Sequence, residues 1–299
     1  MHTLLKYFLG VICLLVGFKL TLKAQTKDIV ILEKTNSLLW KITGNQMKQP
    51  SYLFGTMHLI CKEDYIWTAA MEKAFQASNE LCLEMDMDDP MVMLQIAQGM
   101  VDASGKSLSE YFSTEDYSLV QQYFYNKLQL SNTILASLKP TALMILMATD
   151  GITCSEKLSY ETELMQEAQK LKMNIVGLET PHEQLKLLEN APADSIVAAI
   201  LKMIKTPKST DDNDYPALVA AYKKQNISKL YMLIKNSEQN NISLNAFLDE
   251  RNMKWIERME ERMDQRPTFF AVGAGHLWGI NGLIQLLKEK GYKVTPMLK

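Results

Sequence analysis

Two stretches decide the reading of this chain: Ser51-Tyr52-Leu53-Phe54-Gly55-Thr56-Met57-His58 near its start and Thr268-Phe269-Phe270-Ala271-Val272-Gly273-Ala274-Gly275-His276 near its end. Each is a short apolar run of strand length, broken by glycine and followed by histidine at the same Gly-x-x-His offset. A helical pattern and a further strand come after each. Thr68 is placed to cap a helix over 69–77, and Leu81 to Met85 then returns as a strand. At the other end, 280–290 has helical spacing and is closed by Gly291, and Tyr292-Lys293-Val294 is strand-like. Both ends therefore carry the order strand, Gly-x-x-His turn, helix, strand.

Working outward, Leu38 to Ile42 and Ser51 to Phe54, separated by Gly44-Asn45, predict a hairpin. Asn174 to Leu178 is a central strand ending at Glu179. Most of the interior is helical, with Ser113 capping a helix whose first turn holds Glu115 and Asp116. Helices are predicted over 161–171, 194–204, 216–225, 228–236 and 244–263, with a polar linker over 208–214. The expected class is α/β (mixed α+β): a central mixed sheet flanked by helices, with the two similar units at its ends and helical insertions between.

The chain has 299 residues, 47% hydrophobic and 22% charged, a balance that excludes collagen-like or largely disordered classes. Lys6, the apolar run Tyr7 to Leu20 and Leu22-Lys23-Ala24 read as a signal peptide over 1–24, followed by a domain over 25–299. Such a leader implies export to the periplasm or cell envelope, and an uncleaved N-terminus is the one route to membrane association. Its removal takes away Lys6, Lys19 and Lys23 and no acid, so 32 basic residues become 29 against 34 acidic, a net charge near −5. A mildly acidic chain without a basic block is a poor nucleic-acid binder. Cys61, Cys82 and Cys154 lack C-x-x-C spacing, which argues against a zinc knuckle or redox pair, allows at most one internal disulfide, and leaves them mainly as small core residues.

Beyond the leader only three histidines remain, and two of them, His58 and His276, end the matched turns. Strand ends fix where a side chain points, and each imidazole can serve as metal ligand or proton acceptor. Glu84, in the apolar strand Leu83-Glu84-Met85, is a charge that needs a partner if buried. Two histidines and a carboxylate suit a divalent metal: manganese, cobalt, zinc or iron. Glu179 ends a strand, and Glu161 opens a helix, where a first-turn acid is ordinary. His182 has a surface role. Arg251 and Asn252 lie in a helix with Phe247, Leu248, Trp255 and Ile256, where the pattern alone favours a solvated face. Gly99 to Gly105-Lys106-Ser107 has the wrong spacing for a phosphate-binding loop, and no His-Glu-x-x-His or Gly-x-Ser-x-Gly occurs.

Leu39-Trp40-Lys41-Ile42 with Tyr52 to His58, Leu83-Glu84-Met85-Asp86, Ala168 through Gly177-Leu178-Glu179-Thr180, Glu250-Arg251-Asn252 and Val272 to Leu277 together resemble the blocks of the TraB/GumN family. That family includes Tiki-type metalloproteases and is related to the erythromycin-esterase and ChaN-like proteins. The resemblance implies an active centre built from both turns and the acidic strand, with His58, Glu84 and His276 as metal ligands. It adds Arg251 as a catalytic group beside those three, and brings in Asn252. Ser159-Tyr160-Glu161 departs from the family's Gly-x-Asp-like block, which leaves the role of Glu161 open. The expected function is a metal-dependent, peptidase-like hydrolase acting on a peptide or small-molecule substrate. The alternatives are a metal-free esterase-like hydrolase and a non-catalytic haem- or peptide-binding envelope protein.

Overall fold

The apolar runs at the two ends of the chain pair with each other. In the computed structural model, β2 (Ser51–Thr56) and β7 (Thr268–Gly273) are parallel neighbours, with Leu53 opposite Phe270 and Thr56 opposite Gly273. Every residue of β2 is buried, as expected for a strand covered on both faces. The structure describes residues 36–147, 152, 154–189, 192–206, 215–236 and 248–298. The expected leader over 1–24 and linker over 208–214 lie outside them. From Asn36 onward the chain forms one compact unit.

The remaining strands complete a six-stranded sheet. β1 (Leu39–Thr43), β4 (Glu80–Leu83), β6 (Asn174–Gly177) and β8 (Lys293–Pro296) join in the order β6-β4-β7-β2-β1-β8. All pairs from β6 to β2 are parallel, and β1 runs antiparallel to both β2 and β8. The hairpin β1–β2 turns through Gly44, Asn45 and Gln46, all at positive φ. A separate two-stranded ladder joins β3 (Ile60–Cys61) to β5 (Lys157–Leu158), with Ile60 opposite Leu158.

Helices fill the intervals: α1 (Ala69–Gln76), α2 (Pro90–Met100), α3 (Thr114–Leu128), α4 (Asn132–Ser137), α5 (Pro140–Met147), α6 (Tyr160–Lys170), α7 (Pro181–Glu189), α8 (Ala193–Lys205), α9 (Tyr215–Lys223), α10 (Ile227–Asn236), α11 (Glu250–Gln265) and α12 (Leu283–Glu289). The caps follow the sequence: Thr68 Oγ1 accepts the Met71 N–H, and Ser113 Oγ the Asp116 N–H at 3.1 Å. The last helix starts later than its apolar spacing suggests. Leu277 to Gly282 form turns, and Gly282 stands at the N-cap of α12, where a β-carbon would lie 2.5 Å from the Trp278 carbonyl.

One face of the sheet is aromatic: Phe54 packs against Phe269, Trp67 and Tyr160, and Phe75 of α1 meets Phe269 edge-on at 5.1 Å. A second, smaller core of Leu108, Val120, Phe124, Leu143 and Ile200 belongs to the helical insertions. Among the described residues, no helix is long and apolar enough to cross a membrane.

The cysteines divide in a way that spacing did not reveal. Cys82 is a buried core residue of β4, whereas Cys61 and Cys154 form a disulfide with a Cα separation of 5.8 Å. Their separation of 93 residues makes the loop long, which in the chain-entropy view favours a large effect. A Cys61→Ala/Cys154→Ala variant is therefore expected to fold but to lose about 2–4 kcal/mol in urea denaturation. Equal stability, together with two reactive thiols in the native wild type, would overturn the pairing.

Candidate functional site

The parallel strands β2, β4, β6 and β7 deliver their C-terminal ends to one edge of the sheet, where open α/β sheets build their sites. Thr56 ends β2 and His58 follows it, Glu84 follows β4, Glu179 lies just past β6, and Gly273 ends β7 with His276 beyond it. The backbone keeps this order beyond the strands. Leu178 N–H donates to the Leu83 carbonyl at 2.9 Å and Glu179 N–H to the Glu84 carbonyl at 2.8 Å, so the two carboxylates emerge side by side.

The glycines of both turns are there for close approach. A β-carbon on Gly55 would stand 3.1 Å from Ala274 Cα, backbone of the other turn. A β-carbon on Gly273 would lie 3.2 Å from Glu84 Oε1, 3.6 Å from His58 Nε2 and 3.7 Å from His276 Cδ2. The space over Gly273 is thus shared by the two histidines and Glu84.

Each histidine has its Nδ1 anchored to an oxygen and its Nε2 turned inward. Asn252 Nδ2 donates to the carbonyls of His276 and Asn281, which fixes the amide so that Oδ1 accepts from His276 Nδ1–H at 2.7 Å. His276 Nε2 therefore carries the lone pair, and Arg251 Nη1 sits 3.2 Å from it. The ring is buried and lies 4.4 Å from the Trp255 ring. Burial, with the charges of Arg251 and His58, pushes His276 down to about 3 against the pull of Glu84, so it is neutral at pH 7.

His58 has the opposite surroundings. Its Nδ1 lies 2.9 Å from Glu161 Oε1, and its side chain is 67% exposed. Desolvation lowers it, but the charge and hydrogen bond of Glu161 outweigh that and raise it to about 9. Glu161 is held in turn by Thr56 Oγ1 at 2.7 Å and Ser159 Oγ at 3.0 Å. The β3–β5 ladder brings the start of α6 to this place. Glu161 therefore does more than a first-turn acid requires: it orients His58.

Glu84 accepts from Gly273 N–H at 2.8 Å and from Arg251 Nη2 at 2.5 Å. Burial pushes its carboxyl up, but the charges of His276, Arg251 and His58 and the Gly273 bond hold it at about 2. Arg251 also grips Glu179 through Nε at 3.1 Å and Nη2 at 2.6 Å, and Trp255 Nε1 donates to the same carboxylate. Burial raises Glu179 against these bonds.

The solvated face suggested for Arg251 and Asn252 by pattern alone is corrected here: they are 3% and 1% exposed. Arg251, Trp255, Met259 and Met263 recur every four residues on the buried stripe of α11, which places Arg251 inward. His182 is exposed and stands apart from this network, as expected. Thr56, Ser159 and Trp255 are participants to which the sequence reading gave no role in the site.

A cavity of about 380 Å³ opens beside the histidines, and its lining joins His58, Arg251 and His276 with Leu218, Leu230 and Ile234.

The model of the TraB/PrgY/gumN family matches residues 38–296. The chain belongs to the TraB/PrgY/gumN family. Metalloprotease TIKI2 of Danio rerio is 23% identical over 323 residues, covering 87% of this chain and 61% of that protein. Metalloprotease TIKI1 of Xenopus tropicalis is 23% identical over 319 residues, covering 87% and 62%. Metalloprotease TIKI1 of Homo sapiens is 22% identical over 320 residues, covering 87% and 61%. The chain thus spans a little over three fifths of the length of these curated relatives. No solved structure matches it.

The opposite shifts of the two histidines give opposite pH dependences in chelated protein. His276, depressed to about 3, is neutral when folded, so the unfolded chain takes up a proton first and stability falls as pH drops from 6.5 toward 3. Glu84, held at about 2, adds to the same acid limb below its ordinary 4.5. His58, raised to about 9, contributes stability that is full below pH 6.5 and lost as pH rises through 9. Melting temperatures across pH 3–10 should show His58→Gln flattening the alkaline limb and His276→Gln the acid limb. An unchanged alkaline limb in His58→Gln would contradict the His58–Glu161 ion pair.

Proposed function

We propose that this protein is an exported, metal-dependent hydrolase of the cell envelope that acts on peptide bonds. The observation that carries the reading is the pair of histidines with Nδ1 anchored to Glu161 and Asn252 and Nε2 turned toward Glu84. Anchoring the outer nitrogen to an oxygen is how proteins orient metal-binding histidines. The names of the relatives support the same class.

The donor chemistry fits a divalent cation. His58, Glu84 and His276 offer two imidazole nitrogens and a carboxylate, a set that suits manganese, cobalt, zinc or iron. Three carboxylates, Glu84, Glu161 and Glu179, outnumber the single guanidinium of Arg251 in the network. Among the described residues, the one three-donor group drawn within 4.8 Å is Cys61, Glu63 and Cys154, and the disulfide consumes both sulfurs. The donors of the proposed site stand wider apart than that, with Arg251 capping His276 Nε2 and Glu84 Oε2. A cation must compete with Arg251 for those two atoms.

When bound, the metal would supply Lewis acidity and a more acidic water. Glu84, held near pKa 2, is a weak base and suits the role of ligand and charge anchor better than that of proton acceptor. Arg251, fixed by Glu179 and stacked 4.5 Å from the Trp255 ring, places a positive charge where it can steady developing negative charge on a substrate oxygen. Asn252 and Glu161 hold the two rings. Export rests on the leader pattern, and the Cys61–Cys154 disulfide suits an oxidising compartment.

One observation supports a second reading. Glu161, His58 and the open space at Nε2 also form a carboxylate–imidazole pair of the kind that serves as general base, the basis for a metal-free esterase-like hydrolase. Metal analysis separates the two. Purified mature protein should hold about one divalent ion per chain, lost in both His58→Ala and His276→Ala. Its peptide hydrolysis should stop on exhaustive chelation, and Glu84→Gln should lower metal affinity and kcat/KM by about 10–100-fold or more. Hydrolysis that survives chelation, with metal content indifferent to either histidine, would reject the metal reading.

A further inference from the structure

The cavity beside the histidines has two chemically distinct halves. One is the polar network of His58, Arg251 and His276, and the other is a wall of Leu218 and Tyr222 on α9, Leu230 and Ile234 on α10, and Leu248. The Tyr222 hydroxyl donates to the Gly55 carbonyl at 2.9 Å, so that side chain turns its ring rather than a free hydroxyl to the space. Among the described residues, the wall apart from the polar half carries no charged group. At about 380 Å³ the space lies at the small end of the range for ligand sites, about 300–1,000 Å³. That volume matches the size of one large side chain with its local backbone.

The second turn sets the floor. A β-carbon on Gly275 would lie 3.2 Å from Ile234 Cδ1 and 3.7 Å from Leu248 Cδ1, so the turn already touches the wall. The apolar wall and the histidine that ends the turn are therefore held at a fixed offset by a single short segment.

We propose that this chamber is the subsite for a bulky apolar residue of the substrate, flanking the bond presented to His58 and His276. The inference rests on the peptidase reading for the bond cleaved, but not for the selectivity of the chamber. Apolar side chains gain by leaving water for this wall, whereas an acidic or strongly polar one would lose its hydration without a partner. Discrimination by such pockets is about 10–200-fold per methylene-scale misfit.

Two measurements test it. In the first, wild-type protein digests a mixed peptide library, and cleavage is expected next to Leu, Phe, Met or Ile in preference to Gly, Ala, Asp or Glu. Ile234→Trp, and independently Leu218→Trp, fill the chamber and should lower the ratio of bulky to small residues at the cut by tenfold or more. In the second, chelated protein is titrated with N-acetyl-phenylalaninamide and N-acetyl-glycinamide by calorimetry. The phenylalanine amide should bind at least tenfold more tightly, and either tryptophan variant should abolish the difference. Equal binding of the two amides overturns the chamber, even if peptides are cut. Discrimination without any cleavage sustains the chamber and removes the peptidase reading instead.

Discussion

The guanidinium of Arg251, shared between Glu84 and Glu179, is the interaction on which the rest of the site depends. All three groups are buried, and isolated charges there would be strongly unfavourable. Mutual pairing removes that difficulty and imposes geometry. Glu84 hangs from β4, Glu179 from beyond β6, and Arg251 from α11, so one ion network clamps a helix across two strand ends. Asn252, the next residue of that helix, then reaches His276, and Trp255, one turn on, stacks against it. The position of the second histidine is inherited from the position of the arginine.

The two Gly-x-x-His turns share a motif but not an environment. His276 sits in a short 3₁₀ turn, sealed by Trp255 and the arginine, and is kept neutral. His58 faces solvent and carries its charge against Glu161. In the absence of another cation, a proton on His58 balances part of the local negative charge. The two turns thus place a charged imidazole at the open side of the site and a neutral one at its closed side.

Much of this was legible in the residues. Apolar runs ended by glycine gave both central strands, and Glu84 stood out as a charge in an apolar strand. Their meeting at one edge follows from the parallel pairing of β2 with β7 and of β7 with β4. Arg251 was harder, since a charged residue on an amphipathic helix usually faces water; only its four-residue spacing to Trp255, Met259 and Met263 marks the buried stripe. The Cys61–Cys154 pair was out of reach, because it depends on the short β3–β5 ladder bridging nearly a hundred residues of chain. The late start of α12 reflects the Gly282 contact with Trp278, a tertiary detail that helical periodicity does not encode.

The topology also dictates an order of assembly. β7 lies between β2 and β4, yet it is made roughly 180 residues after the latter. Until residues 268–273 arrive, β2 and β4 have no shared neighbour, and each presents an unpaired edge. The middle of the sheet closes by insertion of β7, and only the edge strand β8 follows it in the chain. A chain that stops short of residue 268 thus carries the three carboxylates, Arg251 and one imidazole of the site but not the second histidine. The assembled centre is a property of the finished polypeptide alone.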